Sequence, residues 1–403
     1  WGLVMVRVMA FYPYVYLMAR SAFLTQGHRS MEAAQALGYS PLAAFFKVAL
    51  PLARPWIGAG LALVLMEVLA DFGAISVFNF DTFTTALYKS WFNLFNITAA
   101  AQLAAILVLV VLVLVAAEQR SRRAKRFHVS NPQQQRTVLQ GGRRWLAFAA
   151  CALVFGAAFA VPMVQIVAWV WSVWRQDLNS DYWGYVWNTL CLALFTAAVT
   201  TVFALLLSWT RRRHSDPWTA WTVRLAVLGY AMPGVVLAVG VFVPIAWLDE
   251  RLIALLAPLG IETLAILKGS LAGMLLALAA RFMAVAYNAT DAAMQRITRS
   301  QEEACASLGL GPWQTLRRLH LPLLRTGLLS AFLMVVVDVM KEMPITLMMR
   351  QFGWDTLAVR VFQLTSESMW DQAALPALAI VLVGLLPVIL LVLQTEKQPS
   401  AAG

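Results

Sequence analysis

The chain carries one stretch twice: Glu32-Ala33-Ala34-Gln35-Ala36-Leu37-Gly38 and, 271 residues later, Glu303-Ala304-Cys305-Ala306-Ser307-Leu308-Gly309. In both copies a proline follows the glycine by three residues, and a Leu-Pro pair follows that proline by nine. Over residues 32–54 and 303–325, nine of the 23 aligned positions are identical. Coincidence does not explain this at ordinary residue frequencies of about 5–10%, so the chain consists of two related halves.

Composition places the chain in a membrane. It is 61% hydrophobic and 13% charged, with a mean hydropathy of +0.71, which is far from the range of soluble domains. Apolar runs long enough to cross a hydrocarbon core of about 30 Å lie at 2–19, 56–78, 99–117, 145–172, 184–209, 221–247, 264–289, 324–348 and 374–394. None shows the short alternating pattern of a barrel strand. The sequence therefore predicts an all-α, polytopic membrane protein with about nine transmembrane helices.

The apolar runs are divided unequally between the halves. The second half has six, of which three precede the run that leads into the repeated stretch, whereas the first half has only that run and the two after it. Internal symmetry predicts that the full-length chain has about twelve helices, three of them before residue 1. The predicted domains are 1–117, the C-terminal part of a first domain, and 145–397, a second domain, joined by a basic linker at 118–144.

The formal net charge of +11 is distributed as in a membrane protein. If the repeated stretches lie inside and the spans alternate, 21 of the 31 Lys and Arg residues fall in inner segments and five in outer loops. This positive-inside bias predicts that the repeated stretches are cytoplasmic. It also excludes nucleic acid as a partner and leaves membrane lipid as the expected surrounding.

Residues with reactive side chains are scattered along the sequence. Cys151, Cys191 and Cys305 lie in two spans and one inner loop, and the four histidines are dispersed, so neither a disulfide framework nor a metal site is expected. The sequence lacks a nucleophilic triad, a phosphate-binding loop and a dinucleotide fingerprint. A membrane-embedded enzyme would need such a constellation, so no catalytic residue is predicted.

Each repeated stretch predicts two short helices joined by a fixed corner. Gly38 suits the left-handed position that ends the first helix, and Ser40 can cap a second helix with Pro41 in its first turn. Pro51 is expected to end that second helix just before the next span. The second copy repeats this punctuation with Gly309, Gly311, Pro312 and Pro322. A rigid knob of this kind suits the docking of a partner, and an ordinary connecting loop is the alternative.

These stretches resemble the EAA loop of permease subunits in binding-protein-dependent ABC importers, where Glu-Ala-Ala is followed by Gly six residues after the Glu and later by Leu-Pro. In that family the loop forms the coupling helix that fits a cleft in the ATP-hydrolysing subunit. The residues that match are Glu32, Ala33, Ala34, Gly38, Leu50 and Pro51 in the first copy and Glu303, Ala304, Cys305, Gly309, Leu321 and Pro322 in the second. Cys305 departs from the pattern, since it replaces the second Ala.

The resemblance covers nearly the whole chain and implies two fused permease domains of the type I importer fold. It implies a multi-pass protein of the bacterial inner membrane, with two copies of an ABC ATP-binding subunit and a periplasmic substrate-binding protein as partners. Closure of the ATP-binding subunits on ATP would rock the two halves between inward-open and outward-open states. No cofactor is expected on this chain, because ATP and magnesium belong to the partner ATPase.

Fused permease domains, together with the segments 12–16, 69–73 and 81–85, resemble ferric-iron importer permeases in particular. Ferric iron is therefore the expected substrate. Thiamine, sulfate, molybdate and polyamines remain alternatives within the ABC class. A secondary transporter built from repeats is a rival from another class, but it would not need the twin loops.

Acidic residues lie inside two spans at matching places of the repeat. Glu67 and Asp71, four residues apart, align with Asp338 and Glu342 at the same offset of 271. Each pair forms a stripe on one helix face, beyond the membrane midplane toward the outer side. One hypothesis is that the four line an electronegative translocation pathway for a hard cation such as Fe(III). The alternative is internal pairing with cations such as Lys341.

Overall fold

The computed structural model of the protein describes residues 1–24, 28–123, 139–259 and 266–396. All regular elements in these ranges are helical, which confirms the all-α prediction. The predicted linker at 118–144 falls largely on residues 124–138, which lie outside the described residues.

The helices are numbered in chain order. The first seven are α1 (Gly2–Ala22), α2 (His28–Ala36), α3 (Pro41–Ala44), α4 (Leu50–Ala70), α5 (Gly73–Val77), α6 (Phe83–Phe92) and α7 (Ile97–Arg123). The next six are α8 (Gly142–Phe155), α9 (Val161–Asp177), α10 (Ser180–Arg213), α11 (Pro217–Val227), α12 (Gly234–Leu256) and α13 (Leu271–Met294). The remaining described helices are α14 (Arg299–Ser307), α15 (Pro312–Thr315), α16 (Leu321–Met340), α17 (Pro344–Met349), α18 (Leu357–Ser366) and α19 (Trp370–Glu396).

The chain divides into two compact units. The first comprises Trp1–Thr84 and Ala105–Gln165, and the second comprises Thr85–Ala104 and Ile166–Gly403. The domain boundaries expected from the sequence repeat stay a prediction.

Among the described residues, eight helical runs are long and apolar enough to cross a membrane. The run predicted at 221–247 is interrupted at Met232-Pro233-Gly234. α11 ends at Val227, a 3-10 turn follows at Leu228–Ala231, and α12 begins only at Gly234. Pro233 explains the break, because it donates no backbone hydrogen bond and pushes the preceding Met232 into an extended conformation (ψ 138°).

The helix bounds repeat as the sequence does. α2 and α14 end at residues that are 271 apart, and the first residues of α3, α4 and α5 recur at the same offset in α15, α16 and α17. The spans predicted at 56–78 and 324–348 both begin and end earlier than expected. α4 ends at Ala70 and α16 at Met340, and each is followed by a turn and a short helix.

The prediction that Pro51 ends a short helix is wrong, and so is its counterpart at Pro322. Both prolines lie in the first turn of a span that continues from α3 or α15 through a π-helical segment, Phe45–Ala49 or Leu316–His320. A proline cannot bond to the carbonyl four residues earlier, and its ring clashes with that carbonyl. The wider π turn accommodates the ring through a longer bond, from the N–H of Leu50 to the carbonyl of Phe45 in the first copy. The second helix of each repeated stretch is therefore continuous with the span that follows it.

Small side chains allow three long helices of the second unit to pack closely. α10, α13 and α16 contact one another, and fully buried alanines lie on all three: Ala193, Ala197, Ala277, Ala286 and Ala331. Gly327 of α16 approaches α13 so closely that an added Cβ would overlap the Cβ of Ala293. Close approach of small residues is how helices associate in lipid, so these three helices form the firm part of the second unit.

Candidate functional site

The helix corner is built in the same way in both copies of the repeated stretch. Gly38 (φ +87°) and Gly309 (φ +74°) are left-handed, as predicted. In the first copy the N–H of Gly38 donates to the carbonyl of Gln35 (2.9 Å) and the N–H of Tyr39 to that of Ala34 (3.1 Å). The equivalent bonds of the second copy, from residues 309 and 310 to 306 and 305, are also 2.9 and 3.1 Å long. Backbone hydrogen bonds thus fix both corners.

The second helix of each copy begins at a proline with a cap before it. The Oγ of Ser40 accepts a hydrogen bond from the N–H of Ala43 (3.3 Å), which confirms the predicted cap. Gly311 has no side chain to serve in this way. Its own N–H instead donates to the side-chain oxygen of Gln314 (3.1 Å). Two different sequences therefore produce the same helical start.

Each corner exposes an apolar tip that the sequence analysis did not single out. Leu37 is 81% exposed and Leu308 79% exposed. In the helix after the corner, Leu42 and Trp313 occupy equivalent positions and are also exposed. Exposed apolar side chains of this kind are candidates for contact with another molecule. The identity of Leu37 and Leu308 in the two copies is the sequence signal that could have found them.

The predicted coupling residues lie on both sides of these corners. On the first helix of each copy Glu32, Ala33, Glu303 and Ala304 are exposed. Ala34 is buried, at 4% exposure, and Cys305 at the equivalent place is half-buried. After the π-helical segments, at the start of the spans, lie Leu50, Pro51, Leu321 and Pro322. In each copy the structure thus places the Glu-Ala part on the helix before the corner and the Leu-Pro pair on the span that follows it.

A polar cluster that sequence reasoning missed joins the second corner to α10. Glu302 of α14 accepts hydrogen bonds from Arg212 of α10, at 3.1 Å from Nε to Oε1 and 3.4 Å from Nη2 to Oε2. The Nε2 of His320, in the π-helical segment, lies 3.0 Å from Oε1 of Glu302. Arg212 also donates through Nη2 to the carbonyl of Ile297 (2.7 Å). Since Arg212 and Glu302 are 90 residues apart, only the fold reveals this cluster.

In the first unit the predicted pathway carboxylates share a cation. The prediction that Glu67 and Asp71 lie on one helix face is wrong, because α4 ends at Ala70 and Asp71 is extended. Asp71 forms an ion pair with Arg7 of α1, and Glu67, in the last turn of α4, acts electrostatically on the same arginine. The Oδ2 of Asp71 also accepts a hydrogen bond from the N–H of Ile75 in α5 (3.3 Å). The main-chain carbonyl of Asp71 accepts another from the Oγ1 of Thr84 (2.7 Å). Asp71 therefore holds together the end of one helix and the start of the next.

In the second unit Glu342 has the same place and a similar set of contacts. It is buried, and its two carboxylate oxygens accept from the N–H groups of Ile345 (3.0 Å) and Thr346 (3.2 Å), in the first turn of α17. The Oγ1 of Thr346 lies 3.3 Å from Oε2. Asp338 forms an ion pair with Lys341 (2.8 Å), as the internal-pairing alternative expected. Contact of any of the four carboxylates with a substrate stays a prediction.

The broken span lies against Glu342. Gly234, the first residue of α12, is so close that an added Cβ would be 2.5 Å from Nη1 of Arg281 and 3.0 Å from Oε1 of Glu342. Arg281 of α13 donates to the carbonyl of Met232, which the break leaves without a helical partner (3.5 Å). It is also the cation that acts electrostatically on Glu342. Glycine at 234 therefore permits an arginine and a glutamate to meet a helix end inside the unit.

Beyond the predicted span, Asp249 holds the loop that precedes α13. Its buried carboxylate accepts hydrogen bonds from three successive backbone N–H groups, those of Ile266 (3.2 Å), Leu267 (2.8 Å) and Lys268 (2.7 Å). Burial acts to raise the pKa of Asp249, but the three N–H donors and the charge of Lys268 outweigh it, so the pKa lies below its usual value. Asp249 thus acts as an ionised clamp on this loop.

Comparison with known proteins identifies a family. Residues 1–123 and 200–396 match the family described as binding-protein-dependent transport system inner membrane component. The chain is 28% identical over 401 residues to the Fe(3+)-transport system permease protein FbpB 2 of Haemophilus influenzae. The alignment covers 97% of this chain and 76% of the relative.

Other relatives cover less of the chain. It is 28% identical over 224 residues, 55% of this chain and 77% of the relative, to the putative 2-aminoethylphosphonate transport system permease protein PhnV of Salmonella typhimurium. A crystal structure of a bacterial alginate ABC transporter in complex with alginate pentasaccharide-bound periplasmic protein aligns with a TM-score of 0.49 at 15% identity, over 62% of this chain and 93% of that one.

Proposed function

Because the chain belongs to the family of binding-protein-dependent transport system inner membrane components, we propose that it is the permease subunit of an ATP-driven importer of ferric iron. The chain is a transport subunit and not an enzyme. Hydrolysis of ATP in separate subunits would drive alternating access of its two halves. The observation that carries the proposal is the pair of helical corners whose bounds, glycine conformation and hydrogen bonds repeat at an offset of 271 residues.

Each corner would fit a cleft in one of two ATP-binding subunits. The exposed Leu37 and Leu308 offer an apolar tip to such a cleft, and the hydrogen-bonded glycine corners keep the tip in one orientation. The π-helical segments then connect each corner to α4 or α16 without a flexible joint. A displacement of the tip would therefore be passed to the span, because no loop between them can absorb it.

The corners would lie in the cytoplasm and the opposite face would receive a periplasmic binding protein. The excess of Lys and Arg in the segments on the side of the corners supports this orientation in a bacterial inner membrane. ATP and magnesium would be bound by the partner ATPase and not by this chain. Glu32, Ala33, Glu303 and Ala304, which are exposed, would face that partner.

Iron is proposed as the substrate because the ferric transport relative matches 97% of the chain. A second candidate is 2-aminoethylphosphonate, favoured by a relative that matches 55% of the chain. The four membrane carboxylates are the residues of this chain that we propose for an electronegative pathway. They are consistent with a cationic substrate, because oxygen ligands suit a hard ion such as Fe(III).

An uptake assay tests the proposal. The chain would be expressed with the neighbouring genes for an ATP-binding subunit and a binding protein in a bacterium without ferric uptake of its own. We expect uptake of radioactive ferric iron that stops when ATP is depleted and is not reduced by excess 2-aminoethylphosphonate. Uptake of 2-aminoethylphosphonate and not of iron would show that the phosphonate is the substrate. Uptake that is driven by a proton gradient and does not need ATP would contradict the ABC mechanism.

A further inference from the structure

The two corners differ in how they are attached to the rest of the protein. In the second copy, Glu302 precedes the repeated glutamate by one residue and contacts both Arg212 and His320. In the first copy the positions equivalent to Glu302 and His320 hold Met31 and Ala49, which cannot form such contacts. The cluster is therefore an addition to the repeat and not part of it.

The cluster is sheltered from water. The side chain of His320 is 4% exposed, and those of Arg212 and Glu302 are 22% and 26% exposed. Arg212 offers a fork of donors, of which two meet the carboxylate and one also meets the carbonyl of Ile297 just before α14. Charge-assisted bonds of this kind fix orientation as well as distance.

Arg212 belongs to one of the three closely packed helices of the second unit. Near it on α10, the ring of Trp209 meets the ring of Trp313 edge to face, with 6.4 Å between centroids. α10 thus contacts both helices of the second corner, α14 through Arg212 and α15 through Trp209. A movement of α14 has a direct route into α10 that does not pass through α16.

We propose that Glu302 is a positioning residue that latches the second corner to α10 through Arg212 and to the π-helical segment through His320. This latch makes α10 follow α14 when a partner moves the corner. The coupling part of this proposal rests on the proposed function, whereas the latch itself is a property of the isolated chain. Because Met31 and Ala49 stand where the second copy has Glu302 and His320, this latch belongs to the second corner.

The latch is tested first without any partner. Cys305 lies on α14, three residues after Glu302, and accepts a spin label once Cys151 and Cys191 are replaced by serine. We expect Glu302→Gln to increase the mobility of the label, as seen in its electron paramagnetic resonance spectrum, because Gln loses the charge that holds the guanidinium. Glu303→Gln, on the exposed face of the same helix, is the matched control and should leave the spectrum unchanged.

A second variant separates a latch from a local effect of the substitution. Arg212→Gln lies on another helix and should give the same increase in mobility as Glu302→Gln. The double variant should add nothing further, because two groups of one contact are not independent. An unchanged spectrum in either single variant, or full additivity in the double variant, overturns the latch.

The coupling role is tested with the partner ATPase and binding protein in proteoliposomes. We expect Glu302→Gln to lower the substrate taken up per ATP hydrolysed about fivefold or more, the low end of a typical coupling free energy. Glu250→Gln, an exposed glutamate of α12, should leave the ratio unchanged. An unchanged ratio in Glu302→Gln, with a mobile label, overturns the coupling role. Absence of ATP-driven uptake in the unaltered protein overturns the proposed function instead, and the label spectra still decide the latch.

Discussion

Replacement of Glu342 by glutamine should destabilise the protein strongly while it changes the size of the side chain little. Glu342 is 5% exposed, and both of its oxygens are used by N–H groups of α17. Glutamine has one carbonyl oxygen, so one of these donors loses its acceptor at a cost of about 1–3 kcal/mol. Arg281 also loses the negative charge beside it. Loss of a buried charge that compensates another costs up to about 3–5 kcal/mol in total, and we expect a loss in that range.

This loss is measurable as a change in melting temperature in detergent. At roughly 1.2 °C per kcal/mol for a chain of 403 residues, Glu342→Gln should melt about 4–6 °C lower. Asp338→Asn, in the last turn of α16 just before Glu342, is the matched control. Its partner Lys341 is 64% exposed, so this substitution should cost less than about 1 kcal/mol and shift the melting temperature by less than about 1 °C.

A double variant gives the test a second arm. Replacing Arg281 by glutamine in the Glu342→Gln background removes the uncompensated charge and should recover part of the lost stability. Equal melting temperatures for Glu342→Gln and Asp338→Asn would refute the view that Glu342 stabilises the fold through its bonds to the first turn of α17. If uptake per folded molecule then fell selectively in Glu342→Gln, the pathway hypothesis would be favoured.

Three further predictions follow from backbone and loop geometry. Gly38→Val and Gly309→Val each place a branched side chain at a positive φ, at a cost of about 1–2 kcal/mol. Both variants should insert into the membrane but take up less substrate per ATP hydrolysed. Normal uptake in both would contradict rigid coupling. Gly229→Ala should lower the melting temperature because the new Cβ would overlap a backbone carbonyl of α13, whereas Gly240→Ala, with open space around it, should not. Asp249→Asn should remove the stability that the ionised Asp249 carboxylate supplies above about pH 4. Because the pKa of Asp249 is depressed in the folded state, the unaltered protein should lose this stability as the pH falls through that pKa. The melting temperature of the variant should therefore depend less on pH between about 5 and 3 than that of the unaltered protein.

The corners could be predicted from the sequence because backbone chemistry alone determines them. A glycine at the end of a helix and a proline after it specify the turn whatever the surroundings. The prediction that Pro51 ends the second helix was wrong because a helix can also accommodate a proline without ending. A π turn accommodates the ring and lets the helix continue, and a proline by itself does not distinguish the two outcomes.

Glu302 could not be found from the sequence for a different reason. The repeat draws attention to Glu303, which has a counterpart at Glu32, whereas Glu302 has none. Its main partner, Arg212, is far away in the sequence and is one of three consecutive arginines that fit the positive-inside bias equally well. Only the packing of α10 against the corner selects one arginine from the three.

The two related halves also show what the membrane carboxylates hold in place. Asp71 and Glu342 differ in length, and the arginines that act on them come from positions that are not equivalent in the repeat. The contact with the backbone N–H four residues later, Ile75 in one half and Thr346 in the other, is nevertheless present in both. This contact between the carboxylate and the backbone N–H is therefore the feature that both halves share, although the residues that form it differ. Each half therefore uses a carboxylate to fix the turn between a span and the short helix after it, and a carboxylate engaged in this way has fewer oxygen lone pairs to offer a passing cation.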